Sequence, residues 1–400
     1  MKQCSSILNL YASDVSGVCS ALYELGGMTI MDDASGCNST YNTHDEPRWY
    51  TIPSMVYVSA LTELQAVLGH DDHLADEICT SVAELHPRFV AIAGTPIPMM
   101  MGTDFVGLAR VIEKRCGVPV MGFDTNGMHS YIEGAGRALA EFARRFCCKR
   151  NTIVKSNKPR LNIIGATPLD FSVTGNLQAL KALLTSHGYE VVSVWAMGST
   201  FDQLMDAPSA DVNVVVSSCG IETARYFERE FSIPYVVGIP TGSSVTDAFF
   251  ASIDAAVRTH TTQKPLWHGR QIIVKTADAE PSYVIGETVW ASCMSLALAE
   301  DFSVQNVHVL SGCDFNPKYT GISQEALLGP CGQTMVDEDS YFSTLKHSPL
   351  VIADPLYKYA VSKNTKFISL PHEGYSGRIF RNTIPVVMGK SFDNWVQENL

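Results

Sequence analysis

Thiols and imidazoles are the side chains best suited to hold a transition metal, and this chain sets three of them in short turns that directly follow apolar runs. Cys37 closes Asp33-Ala34-Ser35-Gly36-Cys37-Asn38 after the run Met28–Asp32. Cys219 lies in Ser218-Cys219-Gly220 after 212–217, and His372 lies in Pro371-His372-Glu373-Gly374 after 366–370. A fourth turn, Gly94-Thr95-Pro96 after 89–93, offers a hydroxyl instead. Gly36 lets the backbone turn tightly, so that the Cys37 thiolate can point into a crevice and ligate iron. Each cysteine also reads as ordinary core filling, and His372 as a hydrogen-bonded structural residue.

The elements that must position these turns follow from periodicity. Short β-branched runs alternate with helix-length amphipathic segments along the whole chain, the pattern of βαβ units closing parallel sheets. Strands are expected at 28–32, 89–93 and 119–122, with helices near 16–26, 103–115 and 131–148. After a polar stretch at 149–160 containing Pro159, strands are expected at 161–165, 190–195, 212–217 and 235–238. Past the join at 261–269 the strands are 271–275, 307–310, 350–353 and 366–369. The fold class is therefore α/β, with three tandem Rossmann-like domains divided at 1–155, 156–268 and 269–400. In such sheets the working residues collect at the carboxyl ends of the strands, which is where the four turns fall.

Composition excludes several function classes. A formal net charge of −12 does not suit a chain that lives on nucleic acid, which needs a basic footprint. No stretch reaches the roughly 18 apolar residues of a membrane span, and residues 1–10 lack a signal-peptide run, so a cytoplasmic protein is expected. Its eleven cysteines are widely spaced, which in a reducing compartment favours thiols or metal ligation over disulfides. The vicinal pair Cys147-Cys148 reads as free thiols. There is no Gly-x-x-x-x-Gly-Lys-Ser/Thr loop, so the chain is not expected to hydrolyse ATP. The glycine-dense stretch 117–136 lacks dinucleotide-fingerprint spacing and reads as a loop and helix entry.

The stretch from Tyr11 to Trp49, with Gly36-Cys37, Tyr41, His44 and Glu46-Pro47-Arg48 in order, resembles the N-terminal signature of nitrogenase component 1 subunits and their relatives. Those relatives include the chlorophyll-biosynthesis reductases and cofactor-assembly scaffolds. Gly94-Thr95-Pro96 with Gly102-Thr103-Asp104 resembles the family's Cys-Pro turn and following helix start. Residues 227–235, with Glu230 and Ile233-Pro234, and the turn from Leu370 to Gly377 complete the series. In order, these matches spread over nearly the whole chain.

The resemblance implies an oxidoreductase that takes electrons from a separate nitrogenase reductase-like, ATP-binding iron protein and reduces a substrate or cofactor in an inter-domain crevice. The alternatives are a non-catalytic scaffold for cluster or cofactor assembly, and a binding module that has lost its metal. Family subunits bring three cysteines to an interface cluster, whereas here Tyr11 and Thr95 stand at the first and third positions. The resemblance thus implies a smaller iron–sulfur cluster, of [4Fe-4S] type, shared across a homodimer or a heterodimer with a paralogous subunit. Its metal ligands would be Cys37 and, by proximity in sequence, Cys19, with Cys4 and Asp14 as further candidates. Cys219 and His372 fall near the family's cofactor positions, so they are the cofactor-binding candidates, with Ser217 a rival for the Cys219 position and His372 the catalytic one. A thiolate and an imidazole converging from two sheets suit a second metal cofactor or a tetrapyrrole.

Overall fold

The computed structural model of the chain describes residues 10–36, 38, 45–147, 157–270, 280–330, 332–335 and 337–400. Cys37, Cys4 and the expected strand 271–275 lie outside the described residues, as does most of the expected linker 149–160.

The described strands form three sheets, every pairing parallel. The first takes β1 (Met28–Asp32), β2 (Met55–Val58), β3 (Val90–Gly94) and β4 (Val120–Phe123) in the order β2-β1-β3-β4. The second takes β5 (Arg160–Ile164), β6 (Glu190–Val194), β7 (Val212–Val215) and β8 (Tyr235–Val237) in the order β6-β5-β7-β8. The third takes β9 (Ser282–Ile285), β10 (Val307–Ser311), β11 (Gly332–Thr334), β12 (Leu350–Ala353) and β13 (Lys366–Ser369) in the order β11-β10-β9-β12-β13. Each order reverses direction once, between β1 and β3, β5 and β7, and β9 and β12. Such a reversal leaves a crevice at the strands' carboxyl ends, because the helices on either side depart to opposite faces.

β1, β3, β5, β7 and β12 are buried at every residue, as expected for strands covered on both faces, although β1, β5 and β7 carry polar residues among their apolar ones. Three strands were not foreseen. β2 (Met-Val-Tyr-Val) and β11 (Gly-Gln-Thr) are short edge strands with half-buried residues, and β9 is a short Ser-Tyr-Val-Ile segment. One continuous buried cluster contains residues from all three sheets. A smaller one fills the outer face of the first sheet beneath helices Asp71–Leu85 and Phe105–Cys116.

On the inner face of that sheet, helices Asp14–Leu22 and Tyr131–Phe146 meet backbone to backbone. A Cβ on Gly17 would lie 2.1 Å from the Tyr131 carbonyl oxygen, and one on Gly134 would lie 1.8 Å from that of Asp14. Glycine at both positions is what lets Tyr131 sit deep between the sheets, fully buried.

Candidate active site at the sheet reversals

The reversal points of the second and third sheets face each other, and the buried ionisable groups converge there. After β5 the chain turns through Gly165 to Thr167, whose hydroxyl caps the short helix Pro168–Phe171 and donates to Asp170 Oδ2 at 3.0 Å. Asp170 Oδ1 accepts a short hydrogen bond from the Tyr131 hydroxyl. Beyond Tyr131 lies the buried Cys313, its Sγ 3.9 Å from that hydroxyl and 3.4 Å from the Tyr375 hydroxyl. Burial pushes the Cys313 thiol and both phenols well above their ordinary ranges, so all three stay protonated.

After β9 comes Gly286-Glu287. Glu287 is fully buried and caps helix Thr288–Asp301, Oε2 accepting the amides of Val289 and Trp290 at 2.9 and 3.1 Å. Oε1 reaches across to the other sheet and accepts the Ser218 amide and hydroxyl at 2.9 and 2.6 Å, at the end of β7. Burial first, and the neighbouring Asp170 charge second, raise this carboxyl from the ordinary 4.5 to about 7. The four donated hydrogen bonds oppose the rise. Of those donors only the Ser218 hydroxyl can rotate to accept, which makes Oε1 the atom that takes the proton.

His372 follows β13. Its amide donates to Asp354 Oδ2 at 2.9 Å, and Nδ1 accepts the Gly374 amide at 3.1 Å. The ring proton therefore sits on Nε2, which lies 3.3 Å from Asp170 Oδ1 without the alignment of a hydrogen bond and has no other partner among the described residues. Asp170, Glu287, Trp290, Met294 and His372 border a cavity of about 30 Å³, the volume of one water in the liquid.

The His372 turn is also fastened to the N-terminal signature. Ala12 donates to the Gly374 carbonyl at 3.0 Å, and Arg381, paired with Glu373, donates to the Asp45 carbonyl at 3.0 Å. Arg48, buried and held by Glu46 at 2.6 Å and Glu24 at 2.8 Å, also donates to the Ala196 carbonyl in the second sheet's unit at 2.8 Å. Both ends of the segment bearing Cys37 are thus pinned. At its start Ser59 and His70 hold Asp32 at 2.7 and 3.0 Å.

A family model described as nitrogenase component 1 type oxidoreductase matches residues 15–326. The chain belongs to that family. Among curated relatives, it is 23% identical over 293 residues to one subunit of the light-independent protochlorophyllide reductase of Nostoc punctiforme and 24% identical over 298 residues to the same subunit from Zygnema circumcarinatum. Each match covers 68% of this chain and 57% or 58% of the relative, so the chain spans under two thirds of their length. In fold it is similar to a solved structure of nitrogenase Cp1 at pH 6.5, with a TM-score of 0.67 and 14% identity, covering 100% of this chain and 94% of that one.

Within this family member, the sequence-derived site residues do not all meet. His372 lies in the crevice as expected. Cys219 sits on the other side of the Ser218–Glu287 link, bordering a separate void of about 10 Å³ with Glu133, Gly136 and Arg137. Its thiol is pushed well up by burial and accordingly protonated, and it lies 3.8 Å from the Gly165 carbonyl. The expected convergence of a thiolate and an imidazole on one pocket is not what the fold builds; Asp170 and Glu287 stand between. Cys19 is fully enclosed in the core, its thiol raised by burial.

The remaining family positions bear on an iron–sulfur cluster. Thr95 is buried and its hydroxyl is committed to the Asp32 carbonyl at 2.7 Å, tying β3 to β1 across their reversal. The Tyr11 hydroxyl donates a short bond to Asp45, and burial together with that carboxylate raises it to about 12. Neither residue can replace a thiolate, so a three-cysteine set within one chain does not fit. The remaining candidate ligand, Cys37, lies outside the described residues.

A cleft of about 590 Å³ lies elsewhere, on the outer side of helix Tyr131–Phe146. Its cations are mostly spent: Arg144 pairs with Glu222 and Glu141, Arg145 with Glu113, and Arg137 stacks over Tyr319. Sequence reasoning missed Asp170, Glu287, Tyr131 and Cys313. Glu287 had a readable signal, the Gly-Glu-Thr turn after a strand, which was hidden because β9 itself was not recognised.

Proposed function

We propose that this chain is the substrate-reducing component of a nitrogenase-like system. It takes electrons from a separate ATP-dependent reductase and reduces a substrate at the crevice between the second and third sheets. A [4Fe-4S] cluster bound by Cys37, with the remaining ligands from a second copy or a paralogous subunit, would supply electrons singly.

The chain's own residues supply protons. Reduction of an unsaturated bond consumes two protons with each electron pair, and a donor serves best when its pKa is near the working pH. Glu287 meets that condition, holding a proton on Oε1 near neutrality. His372 presents an Nε2 proton to the same cavity, and the Cys313–Tyr131–Asp170 series leads into it. Asp170 orients Tyr131 and faces His372, so it acts as a positioning residue. A water-sized cavity suits proton handling; a tetrapyrrole would require the crevice to open, since pockets for such ligands hold about 300 Å³ or more.

The observation that carries this reading is the convergence of a carboxyl raised to about 7, an imidazole and the Tyr131-bound Asp170 carboxylate on one cavity at facing sheet reversals. A scaffold that only stores a cluster has no need of such a proton supply. The test is anaerobic purification with iron and acid-labile sulfide analysis of wild type and Cys37→Ala, followed by turnover with the reductase and ATP. Iron in wild type, its loss in Cys37→Ala, and ATP-dependent turnover are expected. A wild type without iron after reconstitution overturns the electron route, and iron without turnover favours the scaffold.

A further inference from the structure

Outside this crevice, His129, Glu133 and Asp314 form the one group of three His, Cys, Asp or Glu side chains among the described residues placed to share a metal ion, their donor atoms all within 4.8 Å of one another. His129 Nδ1 lies 3.0 Å from Asp314 Oδ2 and 3.8 Å from Glu133 Oε2. Donors about 2.1 Å from a first-row ion and at right angles to each other stand roughly 3 Å apart, so the set needs little closure.

A His–carboxylate contact between chain segments is commonly a simple clasp, and Glu133 is what sets this one apart. Its side chain is only 9% exposed, yet its carboxylate accepts no hydrogen bond among the described residues and points at His129. Burying a carboxylate without donors is costly, and a bound cation removes that cost. Nor does Asp14, the neighbouring carboxylate, relieve it. Asp14 is occupied by the amides of Asn126 and Gly127 at 3.0 and 2.8 Å and adds negative charge to the site. Arg137 faces Glu133 from the same helix and offsets part of that charge.

The loop geometry orients the remaining donor. Asp314 Oδ1 accepts the Ser130 amide at 2.8 Å and its backbone carbonyl accepts the Ser130 hydroxyl at 2.6 Å, which leaves Oδ2 directed at the imidazole. Outer hydrogen bonds of this kind fix metal ligands in place.

We propose that His129, Glu133 and Asp314 bind one divalent first-row cation, joining the start of helix Tyr131–Phe146 to the loop after β10, at a site independent of Cys37. One imidazole nitrogen and two carboxylate oxygens suit Mn²⁺, Fe²⁺ or Zn²⁺ rather than the thiolate-seeking Cu⁺. His129 and Asp314 are 42% and 38% exposed, so the remaining coordination positions open to solvent and can take an oxygen ligand from outside.

Mn²⁺ is the probe, because it competes poorly for the chain's thiols. The full chain, purified anaerobically, is titrated with MnCl₂ while the electron paramagnetic resonance signal of the free ion is followed. One saturable site per chain is expected, weakened at least tenfold in Glu133→Gln and in Asp314→Asn and unchanged in Asp72→Asn, an exposed carboxylate elsewhere. Thermal melting should rise with Mn²⁺ in wild type and not in Glu133→Gln. Asp314 also holds Ser130; if its variant misfolds by circular dichroism, the near-isosteric Glu133→Gln decides alone. Absence of saturable binding up to millimolar Mn²⁺, or binding that Glu133→Gln leaves intact, overturns the site.

Discussion

Replacing Glu287 by glutamine tests the electrostatics of the crevice directly. In the unfolded chain this carboxyl ionises near its ordinary 4.5, and in the fold it ionises near 7. Between those values the folded chain holds a proton that the unfolded chain has lost. This group's contribution to stability is therefore full below pH 4.5, falls as pH rises through the window, and levels off above 7. The gap corresponds to about 3 kcal/mol, since each tenfold step in acidity is worth about 1.4 kcal/mol. Infrared difference spectroscopy reads the proton itself. A protonated-carboxyl band should titrate with a midpoint near 7 and be absent from Glu287→Gln. In Asp170→Asn the midpoint should move down, because a neighbouring negative charge has gone, yet stay above the ordinary carboxylate range, because burial is the larger cause. A band already lost by pH 5 in wild type, or one that survives in Glu287→Gln, would refute the reasoning.

Two further outcomes follow from packing. Arg48→Met leaves Glu46, which is 1% exposed, without its guanidinium partner, and breaking such a buried pair costs about 3–5 kcal/mol. Its melting temperature should drop by several degrees, and a melt equal to wild type would mean that the pair is not load-sharing. Gly134→Ala forces a methyl to 1.8 Å from the Asp14 carbonyl, so soluble expression should be lost or the melt severely lowered, whereas Gly188→Ala, where no atom lies within 4 Å, should cost only the strain of its positive φ.

Strands were legible where short apolar or β-branched runs recur: β1, β12 and β13 fall where the sequence placed them, and β3 to β8 and β10 within a residue or two. The edge strands β2 and β11 were missed: β11 is a three-residue Gly-Gln-Thr segment without an apolar run, and β2 is a lone four-residue Met-Val-Tyr-Val run. Among site residues, His372 was legible from its turn. Asp170 and Tyr131 were not, because their role comes from a contact between residues 39 positions apart, which no local pattern encodes. Cys219 was correctly placed after its strand, but the sequence cannot say which side of a crevice a thiol faces. Here Glu287 and Ser218 decide that.

Arg48 has a mechanical consequence. It joins the far end of the Cys37 segment to Ala196, 148 positions away in the chain, while Arg381 ties Asp45 to the turn that holds His372. A partner pressing on the Cys37 segment would load both fasteners at once, one leading into the second sheet's unit and the other to the crevice wall. On the proposed function, docking force and crevice opening would be geared to the same few residues, and shortening or loosening either fastener would uncouple them.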